Sequence, residues 1–315
     1  MNPARSRLLL STASKTFLMG EYAVLDGAPA LVMAHGPRFK MTVDYDGGGS
    51  CEGIHPQSPA GRWLRGHADK FSKVSVRFSD PHAGRGGFGA SSAQFALVYA
   101  FSQMKADEWS QWGSAVQPKA IWDAYRSLHE NEPQLPSGGD VIAQILGGIT
   151  SFQIMPWQAT ASPWPFQDLA VLLVPTGVKV ATHEHLRERL PVSDQLLKLA
   201  FEGHQAFVDG NRALFLQALR AYGDELERLQ LVTTTTRGLI AQVASLPDVL
   251  AVKGCGALGA DVLAVTLHPQ HLEGVKAQLL SQGLETVATT AQLQSGLRFE
   301  MEMSPYQQSP GGPWA

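Results

Sequence analysis

The chain has 315 residues, enough for roughly two domains that each bury a core. Hydrophobic residues make up 44% and charged residues 17%, which excludes intrinsic disorder, and a net charge of −3 gives no general attraction to nucleic acid or anionic membrane. An anionic ligand therefore needs a local site. Two cysteines, Cys51 and Cys255, make no disulfide framework and lack zinc-ligand spacing, so a reduced, cytoplasmic setting is expected. No apolar run is long enough to span a bilayer.

In chain order, Arg5 and Arg7 precede Leu8-Leu9-Leu10, but Ser11, Thr12, Ser14 and Lys15 interrupt the run too early for a signal peptide. It reads as a first strand over 7–10, followed by strands near 16–19, 30–33 and 40–43. A glycine linker at 47–49 leads to Val74–Phe78, whose apolar–polar alternation predicts a half-buried strand. A glycine-rich loop then feeds a breaker-free apolar run, Ala93–Phe101, predicted as a buried helix. Further helices are expected over 119–129, where Pro118 stands at the first position, and before Gly147-Gly148. A strand over 170–174 opens the second half. A long helical pattern follows from Ser193 to about Leu231, with a break at Gly210. A strand (262–267), a helix (271–281) and two strands (285–289 and 297–301) complete an α+β pattern. The expected division is 1–168, 169–303 and an irregular Pro- and Gly-rich tail, 304–315.

The loop Gly84-Arg85-Gly86-Gly87-Phe88-Gly89-Ala90-Ser91-Ser92 carries the strongest chemical signal. Glycines let a backbone approach an anion closely, and the following helix N-terminus offers free N–H groups and partial positive charge. Ser91 and Ser92 add hydroxyls for a phosphate or its Mg²⁺. The stretch also reads as G-x-G-x-x-G, but a dinucleotide site needs an acidic residue ending a strand about twenty positions on. Asp107 and Glu108 have that spacing within a segment that is no strand, and no Walker lysine follows the glycines. Phosphate binding is the expected role, against a simple tight turn.

Pro136-Ser137-Gly138-Gly139-Asp140 ends in a carboxylate that suits either a helix first turn or catalysis. Lys15 suits either a strand-end cation or a partner for it, since a Lys–Asp pair would orient the carboxylate toward a hydroxyl nucleophile. Lys253–Asp261 is a small-residue loop that reads as a turn or a ligand-closing segment. His183-Glu184-His185 looks like a metal pair but has poor spacing for one. The remaining histidines read as ordinary surface or core residues.

Together these segments resemble the GHMP kinase family. Ala13–Leu25, with Lys15 and Gly20-Glu21, resembles the first family motif. Gly87–Ala93 resembles its phosphate loop, Ser137–Val141 its S-G-x-D segment, Thr176–Thr182 its T-G-x-x-x-x-T stretch, and Lys253–Asp261 its third motif. The resemblance implies an N-terminal domain like ribosomal protein S5 domain 2, a ferredoxin-like C-terminal αβ sandwich, and ATP and Mg²⁺ in the cleft between them. It makes Asp140 the base or aligner and Lys15 its partner. ATP would lie on Gly84, Gly86, Gly87, Gly89, Ala90, Ser91, Ser92, Gly256 and Ala257, and Mg²⁺ on Ser91 and Glu130. Substrate contacts fall to Glu21, Tyr22, Ser137 and Gly138. Arg85, Lys179 and His183 would be the cations for a phosphorylated acceptor.

The Gly20-Glu21-Tyr22 sequence and Asp140-Val141 lean toward phosphomevalonate kinase, with mevalonate kinase as the alternative. The diphosphomevalonate decarboxylase branch lacks its acceptor segment here. Three departures, Ser14 for Gly, Ala90 for Ser, and Leu258 and Ala260 for Gly, raise a rival reading: a catalytically weak small-molecule sensor. Retention of Lys15 and Asp140 argues against it. The expected partner is a small-molecule acceptor, without nucleic acid or membrane, and homodimerisation stays open.

Overall fold

The structure is a computed structural model that describes residues 6–45, 47–83, 85–104, 116–177, 192–260 and 262–303. Its first half is built on a seven-stranded sheet. β1 (Ser6–Met19) and β2 (Ala30–Asp44) form its antiparallel centre. β4 (Ser75–Ser79) pairs with β2 and with β3 (Cys51–Glu52), while β5 (Ile149–Gln153) joins β2 further along and carries β6 (Gln158–Ser162). Each of the two long strands reads in sequence as two shorter ones. Polar residues in the middle of β1 do not break it, because each finds a partner. Thr12 donates to the main-chain oxygen of Gln144, Ser14 to that of Pro37, and Thr16 bonds His35.

Helices α1 (Pro59–Gly66), α2 (Ala68–Phe71), α3 (Ala90–Ser102), α4 (Pro118–Ser127) and α5 (Gly139–Leu146) belong to this half. α3 and α5 pack on β1 and β2. α3 has apolar residues all round and is buried from Ser92 to Ser102 except for Gln94, as its unbroken apolar run predicts.

The second half holds a four-stranded antiparallel sheet in the order β10–β7–β9–β8: Ala288–Thr289, Ala170–Pro175, Val262–Leu267 and Val249–Cys255. β7 and β9 are apolar without alternation because both faces are covered. Leu172 and Val174 face a cluster with Val243 and Val275, and Val171 and Leu173 face the main core. α6 (Asp194–Val208) and α7 (Arg212–Arg228) form a hairpin across Gly210, at φ +64°, where the sequence marks a break. α8 (Thr234–Ala244) and α9 (Leu272–Ser281) supply the remaining helices, and Val243 and Val275 come from them.

The closing strand β11 (Arg298–Met303) pairs with β1 in the first sheet, although the division at residue 168 puts it with the second half. The segment before it is bound there too. Arg38 donates to the main-chain oxygens of Ser295 and Gly296, and a Cβ at Gly296 would lie 1.9 Å from the oxygen of Ile145. Only glycine fits that crossing. The predicted strand over 285–289 shrinks to its last two residues, and β5, β6, β8, α1 and α8 stand where the sequence reading expects no element. No described helix is long and apolar enough to cross a membrane.

Candidate active site

Lys15 lies in the middle of β1 and Asp140 in the first turn of α5, with Nζ and Oδ2 3.4 Å apart. The lysine is 9% exposed, whereas the Asp140 side chain keeps 31% of its surface open. The pair therefore has a buried cationic side and an accessible carboxylate. The Lys15 ammonium also stands 5.4 Å from the centre of the Phe17 ring.

The phosphate loop meets this pair directly. The Lys15 N–H donates to Phe88 O (3.1 Å), and a Cβ at Gly89 would come within 2.9 Å of Lys15 Cγ. Gly89, at φ +86°, is the N-cap of α3, so the left-handed turn that only glycine adopts cheaply aims the first N–H groups of the helix outward. Its carbonyl accepts from Ala93 N (2.9 Å), Ser92 Oγ (3.0 Å) and Gln144 Nε2 (2.9 Å). Of the two serines, Ser91 is exposed. Ser92, also expected on a phosphate, is buried, with its hydroxyl donating to Gly89 O. Gly86, Gly87 and Ala90 are half-buried on the same stretch, and Gly87 is at φ +87°.

Two neutral histidines hold the layer behind the loop. Ser14 has one proton and gives it to Pro37 O (2.6 Å), so the 2.7 Å contact with His82 Nε2 requires that nitrogen to donate. The His82 ring stacks on Phe88 with centroids 4.0 Å apart. Burial pushes the His82 pKa down. His35 is fully buried, donates from Nδ1 to Gly36 O (2.7 Å), and is pushed down to about 4 by burial. The unusual Ser14 is thus an anchor for the segment that enters the loop. Sequence reasoning treats both histidines as ordinary residues; the signal was the place of His82 just before the glycines.

At α5, Gly138 (φ +75°) presses on Trp122, where a Cβ would lie 2.6 Å from Cδ1. Trp122 Nε1 donates to Ser137 O (2.7 Å), and Ser137 Oγ accepts from Gly139 N (3.2 Å). Ser137 therefore shapes the turn that presents Asp140. Glu130, the expected Mg²⁺ ligand, is exposed beyond the end of α4. The nearby Glu132 bonds His129 Nδ1 (2.7 Å), and Glu132 and Asp140 add to the burial that raises the Tyr125 hydroxyl pKa.

The remaining residues form a second, separate cluster. Glu21 is buried and its carboxylate is paired with the fully buried Lys253 on β8. Burial opposes the Lys253 charge, but the neighbouring Cys255 sulfur and Glu21 carboxylate outweigh it and raise its pKa. Tyr222 donates to Glu21 O (2.6 Å), and the Tyr22 hydroxyl accepts from Leu258 N (2.8 Å). Tyr22 itself is at φ +67°, a costly conformation for a bulky residue that the Leu258 bond secures. Glu21 and Tyr22, expected on the substrate, also fasten the first motif to the third. Gly256 (φ +98°) and Ala257 lie in that third loop, and the partly buried Leu258 packs on the main core. Arg85 is a surface residue paired with Glu285 at 3.4 Å. Gly84, Asp107, Glu108, Lys179, His183, Glu184 and His185 lie outside the described residues.

No protein-family model matches the chain. It is 26% identical over 320 aligned positions to mevalonate kinase of Aeropyrum pernix, covering 89% of this chain and 92% of that protein. The structure of Streptococcus pneumoniae phosphomevalonate kinase in complex with phosphomevalonate and AMPPNP aligns with a TM-score of 0.72 at 13% identity, over 89% of this chain and 98% of its own. Methanococcus jannaschii mevalonate kinase gives 0.69 at 13% identity, over 89% and 97%. With the motifs in order along it, the fold is that of the GHMP kinases, and over nearly its whole length the chain is similar to kinases of this kind.

Proposed function

We propose that this protein is a phosphomevalonate kinase that moves the γ-phosphoryl group of ATP to 5-phosphomevalonate. The observation that carries the transfer chemistry is the Lys15–Asp140 pair, 3.4 Å apart and in contact with the phosphate loop at Gly89. A binding protein needs no such pair beside its phosphate cradle. The residues present fit a nucleotide polyphosphate: a helix N-terminus opened by a left-handed glycine, the exposed Ser91 hydroxyl, and a cation at its edge.

Asp140 accepts a hydrogen bond from the protonated phosphate oxygen of 5-phosphomevalonate, aligns it and takes its proton as its bond to the γ-phosphorus forms, while the bond from that phosphorus to the β-phosphate oxygen breaks and ADP leaves. Lys15 keeps the carboxylate in place and offsets negative charge on the transferred group. The α3 N–H groups hold the nucleotide phosphates in line with the attacking oxygen, so positioning supplies most of the rate enhancement. Mg²⁺ would neutralise charge on the β- and γ-oxygens. Among the described residues no group of three or more His, Cys, Asp or Glu forms a metal cage. A magnesium ion carried by phosphates needs only one or two protein ligands and keeps waters, and Ser91 is the residue suited to it.

Mevalonate kinase is the second reading, favoured by the Aeropyrum pernix relative and by the surface pairing of Arg85 with Glu285, which leaves an acceptor phosphate without that cation. A coupled ADP-release assay with Mg²⁺-ATP decides, offering mevalonate, 5-phosphomevalonate and 5-diphosphomevalonate in parallel, with Asp140→Asn as the blank. Turnover on 5-phosphomevalonate alone is expected. Turnover on mevalonate alone would move the assignment to the second reading, and none on any acceptor would defeat both.

A further inference from the structure

Gln144 stands four residues after Asp140, on the same side of α5. It is fully buried and belongs to none of the motifs. Its Nε2 uses both hydrogens, donating to Gly89 O (2.9 Å) and to Ala13 O (3.2 Å). Its own main-chain oxygen accepts from the Thr12 hydroxyl. The reverse amide orientation would set Oε1 against two carbonyl oxygens, so the network fixes which end is which. Oε1 has no partner, and the side chain is held through its donors alone.

A Cβ at Gly89 would sit 2.9 Å from Gln144 Nε2 and 2.9 Å from Lys15 Cγ, so amide, lysine stem and loop touch with no slack. A core glutamine commonly satisfies carbonyls of one element. This one joins three, and each carries a different part of the site: Asp140 on α5, Lys15 on β1 two residues after Ala13, and the phosphate loop at Gly89.

We infer that Gln144 is a positioning residue whose amide fixes the phosphate loop against the Lys15 strand and the Asp140 helix, and so sets the nucleotide phosphates relative to the attacking oxygen of the acceptor. The inference rests on the kinase reading for its catalytic consequence. Small misplacements of reacting groups are costly in rate, and loss of two donors would release the loop without removing any group that touches substrate.

The test compares the full chain with Gln144→Met, which keeps length and volume but donates nothing. Steady-state kinetics are run well below the melting temperature, with amide hydrogen exchange of the loop over 86–92 measured on the same samples. The expected result is a fall in kcat of at least about tenfold, a higher KM for ATP, an unchanged KM for the acceptor, and faster exchange in the loop. A merely structural glutamine would lower the melting temperature and leave kcat and both KM values of the folded protein alone. That pattern, or kcat within twofold of the parent, overturns the inference. If Gln144→Met does not fold, Gln144→Asn, one methylene short of both carbonyls, carries the same expectation. If the parent transfers no phosphoryl group to any acceptor, the kinase reading fails separately. Loop exchange then decides alone: faster exchange upholds the positioning role, and unchanged exchange overturns it.

Discussion

Two charged pairs lie along this chain's motifs, and they differ in what surrounds them. Lys15–Asp140 is buried on its cationic side only and opens its carboxylate beside a glycine turn and a helix N-terminus. Lys253–Glu21 is buried on both sides, and the Tyr222 and Tyr22 hydroxyls bond the main chain on either side of it. The first arrangement leaves room for a reacting group. The second fastens the two sheets together at the end of β1. A charged residue in a motif is therefore not by itself a substrate contact; access separates the two roles, since the Asp140 side chain is 31% exposed and that of Glu21 9%.

The largest expected effect sharpens that contrast. Asp140→Asn should lower phosphoryl transfer by about 10³-fold while nucleotide affinity, measured by calorimetry, stays within about twofold. Next, Lys253→Met should cost about 3–5 kcal/mol of stability by leaving a buried carboxylate uncompensated, read as a fall in denaturation midpoint. Full stability in that variant would deny the pair its fastening role.

Acid should act on the first region through its histidines. His35 is neutral when folded, with its pKa near 4, against an ordinary value near 6.5 when unfolded. The unfolded chain therefore binds the proton first. Stability is unaffected above about pH 6.5 and falls, on the order of 3 kcal/mol, as pH drops from there toward 4. His82 is shifted in the same direction by burial. Thermal midpoints against pH should fall less steeply in His35→Gln than in the parent, and parallel curves would contradict the assignment.

Gly89→Val should weaken ATP binding at least about tenfold, because a branched side chain at φ +86° strikes Gln144 and Lys15. Unchanged affinity would make the loop a packing turn. The smallest effect is expected at the surface. Arg85→Ala removes an exposed pair with Glu285, which contributes under about 1 kcal/mol, and should change KM for either substrate by less than about twofold.

What was legible in the sequence was what glycine and apolar runs dictate. The left-handed turn at Gly89, the buried α3 and the break at Gly210 each follow from residues that admit few alternatives. The meeting of Lys15 with Asp140 followed from motif order alone. Partnerships across the chain were not legible. Nothing in the local pattern around Ser14 points to His82, 68 positions on, or around Glu21 to Lys253, 232 positions on. The same limit hid the return of β11 to the first sheet, since a strand's period does not name its neighbour. Leu258 stands where the third motif has a glycine, and nothing local shows that its N–H is tied to Tyr22 and its side chain packed on the core.

The most direct test sets the two pairs against each other in one assay: ADP release from Mg²⁺-ATP and acceptor at saturation, for the parent, Asp140→Asn and Glu21→Gln, at a temperature where all three are folded. The account predicts about 10³-fold loss in Asp140→Asn with nucleotide still bound, and turnover within about fivefold of the parent in Glu21→Gln. Near-parental turnover in Asp140→Asn, or equal loss in both variants, would contradict it.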